Sequence, residues 1–222
     1  MSSESDPPFL FELLQDENGI TTLGPSGHAE YSDRAKKAQA EKRQKLYAKY
    51  PPVEKLYKTL IASERNPRPV RRLYGWAYPL RFIKAFAEQY ECRVSLPDYL
   101  KKRHKKDSVI FGKLTEDEAA DVDLMKHVDY FVHDAVEDRL QKAGGVRLLH
   151  GTPFYPEAFG IFYIYDNYNI DNQAEYIMEV LGLDPKEVVA NIQKIISDCD
   201  PDIKALWHYD ASSLKADLTT PL

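Results

Sequence analysis

Apolar residues recur at three- and four-residue spacing along most of this chain and alternate in only one region, a pattern that predicts helices and a single hairpin. Phe82, Ile83, Phe86 and Tyr90 fall on one helical face behind Pro79, predicting a helix over 79–90 with Arg81 and Lys84 outward. The longest predicted element runs over 116–142, with Leu124, Val128, Phe131, Val132, Ala135 and Val136 as its buried stripe. Thr115 and Glu118 frame its start as a capping box, and Gly144-Gly145 stops it. Val53, Leu56, Tyr57, Leu60 and Ile61 keep helical spacing and predict a helix over 53–63. Asp184, Pro185 and Glu187 open a helix over 185–198, preceded by one over 172–181. Ser95 and Asp98 open a short helix carrying Tyr99 and Leu100, and 201–207 adds a last turn.

Strand signals concentrate at 146–150 and 160–166, joined through a long loop over 152–156, with 109–111 as a further short strand. In 160–166 both alternating faces are apolar, as in a strand covered on two sides. The fold expected from this pattern is mainly α, α+β at most: a helical domain with one small antiparallel β-hairpin. Residues 1–31 read as an acidic N-terminal arm and 32–211 as one helical domain, with a loose C-terminal tail over 212–222. The arm carries an apolar knot, Phe9, Leu10, Phe11, Leu13 and Leu14, expected to dock on the body or to serve as a linear motif.

Charge changes the picture because it is sorted into blocks. Residues 1–33 carry a net −7, residues 34–106 a net +15 and residues 107–222 a net −13, which a total of −5 conceals. The domain thus has a basic half over 34–106 and an acidic half over 107–211. The helix over 32–49, capped by Ser32, has basic residues all round and almost no apolar stripe, so core burial cannot hold it along its length. A block of +15 next to one of −13 calls for an anionic partner or for an internal match. Part of the basic block, helix 34–49 first, is expected against the acidic long helix or the acidic arm, an autoinhibitory arrangement toward polyanions.

Composition excludes several classes. No apolar run approaches the ~20 residues of a spanning helix, and the acidic start lacks the basic n-region of a signal peptide. Two cysteines, Cys92 and Cys199, form no disulfide framework and suit a reducing compartment, cytoplasmic or nuclear. The Gly-rich phosphate loops, the dinucleotide fingerprint, the nucleophile elbow and the His-Glu-x-x-His zinc motif are missing, as are zinc-finger, RNP and basic-zipper patterns.

Two constellations remain. The run Lys101, Lys102, Arg103, Lys105 and Lys106 joins Lys42 and Arg43 on the basic helix. Arg68, Arg71 and Arg72 lie on a Pro-broken loop beside Trp76. Cations interleaved with aromatics suit phosphate clamping with base stacking. This predicts an intracellular, non-enzymatic binding or regulatory protein engaging nucleic acid or an acidic protein surface, with no cofactor, no metal and no membrane partner. The alternative is a small metal-assisted or acid/base enzyme centred on the long helix. Asp123, His127 and Asp134 form a polar stripe there, with His133 and His150 as residues that could join it in space. A third cluster, Phe154, Tyr155, Phe159, Phe162, Tyr163, Tyr165 and Tyr168, reads first as core and second as a ligand pocket.

Overall fold

The computed structural model describes residues 13–15, 21–22, 31–155 and 158–213. Most of the acidic arm with Phe9, Leu10 and Phe11, and the tail from 214 onward, lie outside the described residues, and with them the expected docking of the arm.

The fold is α+β, with 50% helix and 20% strand, which corrects the expectation of a mainly α domain with one hairpin. A four-stranded antiparallel sheet has the order β4-β5-β1-β6. Its strands are β1 (Arg72–Tyr78), β4 (Leu149–Gly151), β5 (Gly160–Asp166) and β6 (Ala205–Tyr209). A second sheet pairs β2 (Arg93–Ser95) with β3 (Ser108–Ile110). The hairpin β4–β5 is present, but its neighbours β1 and β6 are strands where the sequence pattern predicts a loop and a helical turn. Both carry weak local signals. Pro67, Pro69 and Gly75 break the apparent periodicity around β1, and β6 is only five residues long, so cross-strand pairing rather than intrinsic preference makes them strands. The predicted helix over 53–63 also gives way. Val53 instead pairs with Trp207 on the open edge of β6 through two backbone hydrogen bonds of 3.0 and 2.8 Å, leaving one short 3₁₀ turn at Lys58–Leu60. An isolated helix of that length is marginal, and an unpaired sheet edge offers its backbone stronger partners.

Helices α1 (Asp33–Lys49), α2 (Leu80–Gln89), α3 (Asp98–His104) and α7 (Pro185–Cys199) follow the expected segments closely. Helix α6 (Ile170–Glu175) continues into a π turn at Tyr176–Val180. The long helix is interrupted. The capping box at Thr115 starts only α4 (Glu116–Ala120), and Asp121 then caps a new helix, α5 (Val122–Gly144), by accepting from the backbone N–H groups of Asp123 and Leu124.

One apolar cluster joins the helix layer to one face of the large sheet. Leu124, Val128, Val132, Val136 and Leu140 of α5 repeat every four residues and are all buried. They share the cluster with Phe82, Ile83 and Phe86 of α2, with Val188, Ile192 and Ile196 of α7, and with Trp76, Phe162 and Ile164 of the sheet. The cluster therefore draws on both the basic and the acidic half. The other sheet face buries Leu73, Ile161 and Tyr163, so β5 is buried along its whole length, as its two apolar faces require. Arg71 ties the ends of two strands together by pairing with Asp166 at 2.8 Å and Asp210 at 3.6 Å.

Strand β1 passes β5 with a register shift between Tyr74 and Gly75. A Cβ on Gly75 would lie 2.0 Å from the carbonyl oxygen of Phe162 and 2.6 Å from Cα of Tyr163, both backbone atoms that cannot yield. Gly75→Ala is expected to cost about 3 kcal/mol, the upper end for overpacking. Urea unfolding of the two proteins measures this, and an unchanged midpoint would contradict the packing described.

Candidate metal centre

The valine stripe of α5 decides where its polar residues point. His133 and Glu137 each follow a buried valine by one position, Val132 and Val136, and lie one turn apart on the flank of the buried face. The sheet brings in the third residue. His150 of β4 is in register with Phe162 of β5, so the two side chains share the helix-facing side of the sheet. His150 Nε2 lies 2.5 Å from a carboxylate oxygen of Glu137, and the rings of His133 and His150 meet edge-on with centroids 4.4 Å apart. One donor atom from each of His133, Glu137 and His150 lies within 4.8 Å of the others.

Packing holds the rings in place. His133 stacks on Phe162 at 5.1 Å, and His150 meets the edge of the same ring at 5.0 Å. The hydroxyl of Tyr78, at the end of β1, shares a hydrogen bond with Nε2 of His133. Burial pushes the His133 imidazole down to about 4, with the neighbouring His150 adding to the effect, so the ring is neutral at neutral pH. Burial also holds the Tyr78 phenol well above its ordinary value, and the Glu137 carboxylate adds to this. Side-chain exposures of 21%, 19% and 37% for His133, Glu137 and His150 leave one side of the cluster open to solvent. Two imidazoles and one carboxylate with an open side form the donor set of catalytic zinc and of non-haem iron sites.

Of the residues considered for a site centred on the long helix, His133 of α5 and His150 of β4 come together. Asp134 adjoins them from the exposed side, 3.9 Å from Nδ1 of His133. Asp123 and His127 lie elsewhere. Asp123 pairs with Arg103 at 3.2 Å, while His127 donates to the Ser95 carbonyl at 2.8 Å and packs its ring on Phe131. Glu137 escaped the sequence reading, although its spacing of four from His133 on one helix was a usable signal.

The basic residues are dispersed by their own pairings. Arg103 bonds Asp121 at 2.8 Å, Lys106 bonds the buried Glu118 at 2.5 Å, and Lys101 lies 3.9 Å from Asp107. The Arg103 guanidinium, with further hydrogen bonds from backbone N–H groups and His104, holds the Asp121 carboxyl well below the usual carboxylate range. The match between basic and acidic halves therefore forms at α3, against α4 and the start of α5. Arg71 is engaged by Asp166, and Arg72 is buried with its guanidinium 3.9 Å from the centre of the Tyr209 ring. Trp76 is fully buried and donates its indole N–H to Gln193 at 3.0 Å. Arg68, Lys102 and Lys105 are exposed, without an ion pair among the described residues. Helix α1 carries Lys42 and Arg43, the latter's side chain outside the described residues. The helix meets the body through Tyr47 on Phe154 and Tyr50 on Tyr209.

The aromatic cluster divides between core and surface. Phe154, Phe162, Tyr163 and Tyr165 are buried, while Tyr155, Phe159 and Tyr168 are partly exposed. A cavity of about 140 Å³ opens at the end of β1, lined by Ala77, Tyr78, Arg81, Tyr155, Leu206 and His208 among others. Neither a family model, nor a curated protein, nor a solved structure matches this chain.

His208 is the one buried side chain among the described residues whose polar atoms lack a partner, and burial pushes its imidazole down to about 4 from an ordinary 6.5. The folded state then binds fewer protons than the unfolded state between these values. The stability due to neutral His208 is complete above pH 6.5, is lost as pH falls, and levels off below about 4. Relative to His208→Leu, the wild type should lose about 3 kcal/mol across that window. Denaturant titrations at stepped pH measure the difference, and parallel curves would show that His208 takes no part.

Proposed function

We propose that this protein binds a transition-metal ion through His133, Glu137 and His150 and uses it in metal-assisted, Lewis-acid chemistry. The observation that carries this reading is the convergence of two imidazoles and a carboxylate from α5 and β4 on one half-open point. Neutral His133 offers a lone pair without first losing a proton, which metal ligation requires. The open side leaves room for a water whose acidity the metal would raise, and for a substrate oxygen to be polarised. Metal binding is tested first, by stripping the protein with chelator and adding zinc. At zinc a hundredfold above Kd the folded state should gain about 2.7 kcal/mol, seen as a higher melting temperature. His150→Ala and Glu137→Gln should remove most of that gain. Hydrolysis of bis(p-nitrophenyl) phosphate by the metal-loaded protein, and its loss in the same variants, tests the chemistry. A wild type that retains no metal would overturn the reading.

A second reading, polyanion binding, is favoured by one observation: α1 carries Lys36, Lys37, Lys45 and Lys49 on exposed positions while resting on the body through two tyrosines. With the 101–106 run largely paired, affinity for single-stranded RNA should respond more to Lys37→Ser with Lys49→Ser than to Arg103→Ser with Lys106→Ser. Binding isotherms from low to moderate salt measure this, since phosphate contacts set the salt slope. No binding at low salt removes the reading.

A further inference from the structure

We infer that Tyr78 is a fourth ligand of the metal centre, bound as phenolate, and that the completed set of two imidazoles, one carboxylate and one phenolate selects iron(III). The inference rests on the metal reading above and adds to it a ligand and a metal class.

Tyr78 ends the central strand β1, where its register with Gly160 places the ring over that glycine. A Cβ at 160 would stand 2.5 Å from the Tyr78 hydroxyl oxygen and 2.9 Å from the carbon that bears it. Only a glycine there leaves the phenol room to extend past β5 toward α5. The ring is fixed by stacking on Phe162, with centroids 4.5 Å apart and planes inclined by 25°, and by Phe82 at 6.0 Å. Among the described residues the hydroxyl has one hydrogen-bond partner, Nε2 of His133, itself a member of the donor cluster. A phenol that is 2% exposed has thus been led to a nitrogen of the donor cluster instead of to a backbone carbonyl. Phe162 serves both parts, since the same ring packs on Tyr78, His133 and His150.

Donor hardness chooses the metal. The carboxylate of Glu137 and a phenolate are hard anionic oxygen donors, and a phenolate in particular suits iron(III), a harder ion than the divalent ions that imidazole and carboxylate alone would hold. Anionic oxygen donors with imidazole favour a harder ion than sulfur-rich sites do. On binding, the Tyr78 O–H bond breaks, an O–Fe bond forms and the proton passes to solvent; the iron remains iron(III), and no electron is transferred. Asp134, exposed beyond His133, stays outside this set.

The test uses the full-length protein freed of metal, loaded in parallel with zinc(II) and with iron(III) supplied as its nitrilotriacetate complex. The expected wild-type result is a visible phenolate-to-iron charge-transfer band, with tyrosinate vibrations enhanced by resonance Raman excitation into it. Tyr78→Phe, which keeps the ring stacked on Phe162, should lose the band. Circular dichroism checks that variant's fold, and absence of the band from the wild type overturns the ligand whether or not the variant folds. Iron-loaded wild type without the band, or a band that survives in folded Tyr78→Phe, overturns the phenolate ligand and leaves the metal reading standing. Failure of the wild type to bind zinc or iron overturns both.

Discussion

The packing of one face of α5 is the constraint on which the rest depends. Five branched or long apolar residues, Leu124, Val128, Val132, Val136 and Leu140, repeat every fourth position and are buried against α2, α7 and the sheet. Because a helix turns by a fixed angle per residue, burying those five sets the direction of every other side chain on it. His133 and Glu137 then emerge on one flank, next to edge strand β4, while Asp123 and Asp134 are left outside. The same layer fixes the sheet, for Trp76 and Phe162 meet the helices from their adjacent strands and hold β1 and β5 in register.

That arrangement relates the charge blocks to the candidate centre. The acids at the start of α5 and on α4 are occupied by the basic end of α3: Arg103 on Asp121 and Asp123, and Lys106 on Glu118. The cationic ends of these pairs reach solvent, where a single ion pair is worth little, although Glu118 itself is buried. Together they place opposite charges where two halves of the chain meet, at one end of α5. His133 and Glu137 lie further along the same helix, away from that cationic shell, where a metal ion would meet carboxylate rather than ammonium groups. Lys101, Arg103 and Lys106 of the basic run thus face acids of the same chain while Lys102 and Lys105 stay exposed, and the less conspicuous histidines are the residues that converge.

Legibility differed by element for physical reasons. α7 carries its own start signals, Asp184 as cap and Pro185 at its first position, and α2 its own apolar face behind Pro79, so both stood out. β5 did too, because its six consecutive residues without a charge before Asp166 suit a doubly covered strand. The segment over 53–63 had the helical period and still did not form the helix, since the backbone of Val53 is taken by Trp207, more than 150 residues away. The break at Asp121 was hidden as well: the continuous apolar period masked a side chain that caps the next helix. At the centre, His133 and His150 were candidates by residue type, and the spacing of four marks Glu137 as a neighbour of His133, but neither the arrival of His150 beside them nor the approach of Tyr78 has any local signature.

By itself the sequence determined the elements whose stabilising contacts lie within a few residues: α2, α3 and α7, the buried stripe of α5 though not its start, the hairpin β4–β5 and the blocks of charge. Caps, helical period and alternation are short-range properties, and they act before any tertiary contact forms. Only the tertiary structure decided that Arg72–Tyr78 and Ala205–Tyr209 are strands, that the basic run answers the acids of α4 and α5, and that Tyr78, His133, Glu137 and His150 meet. Each of these depends on backbone or side-chain partners brought from distant parts of the chain, and which partner arrives is set by how the helix layer and the sheet bury their common core.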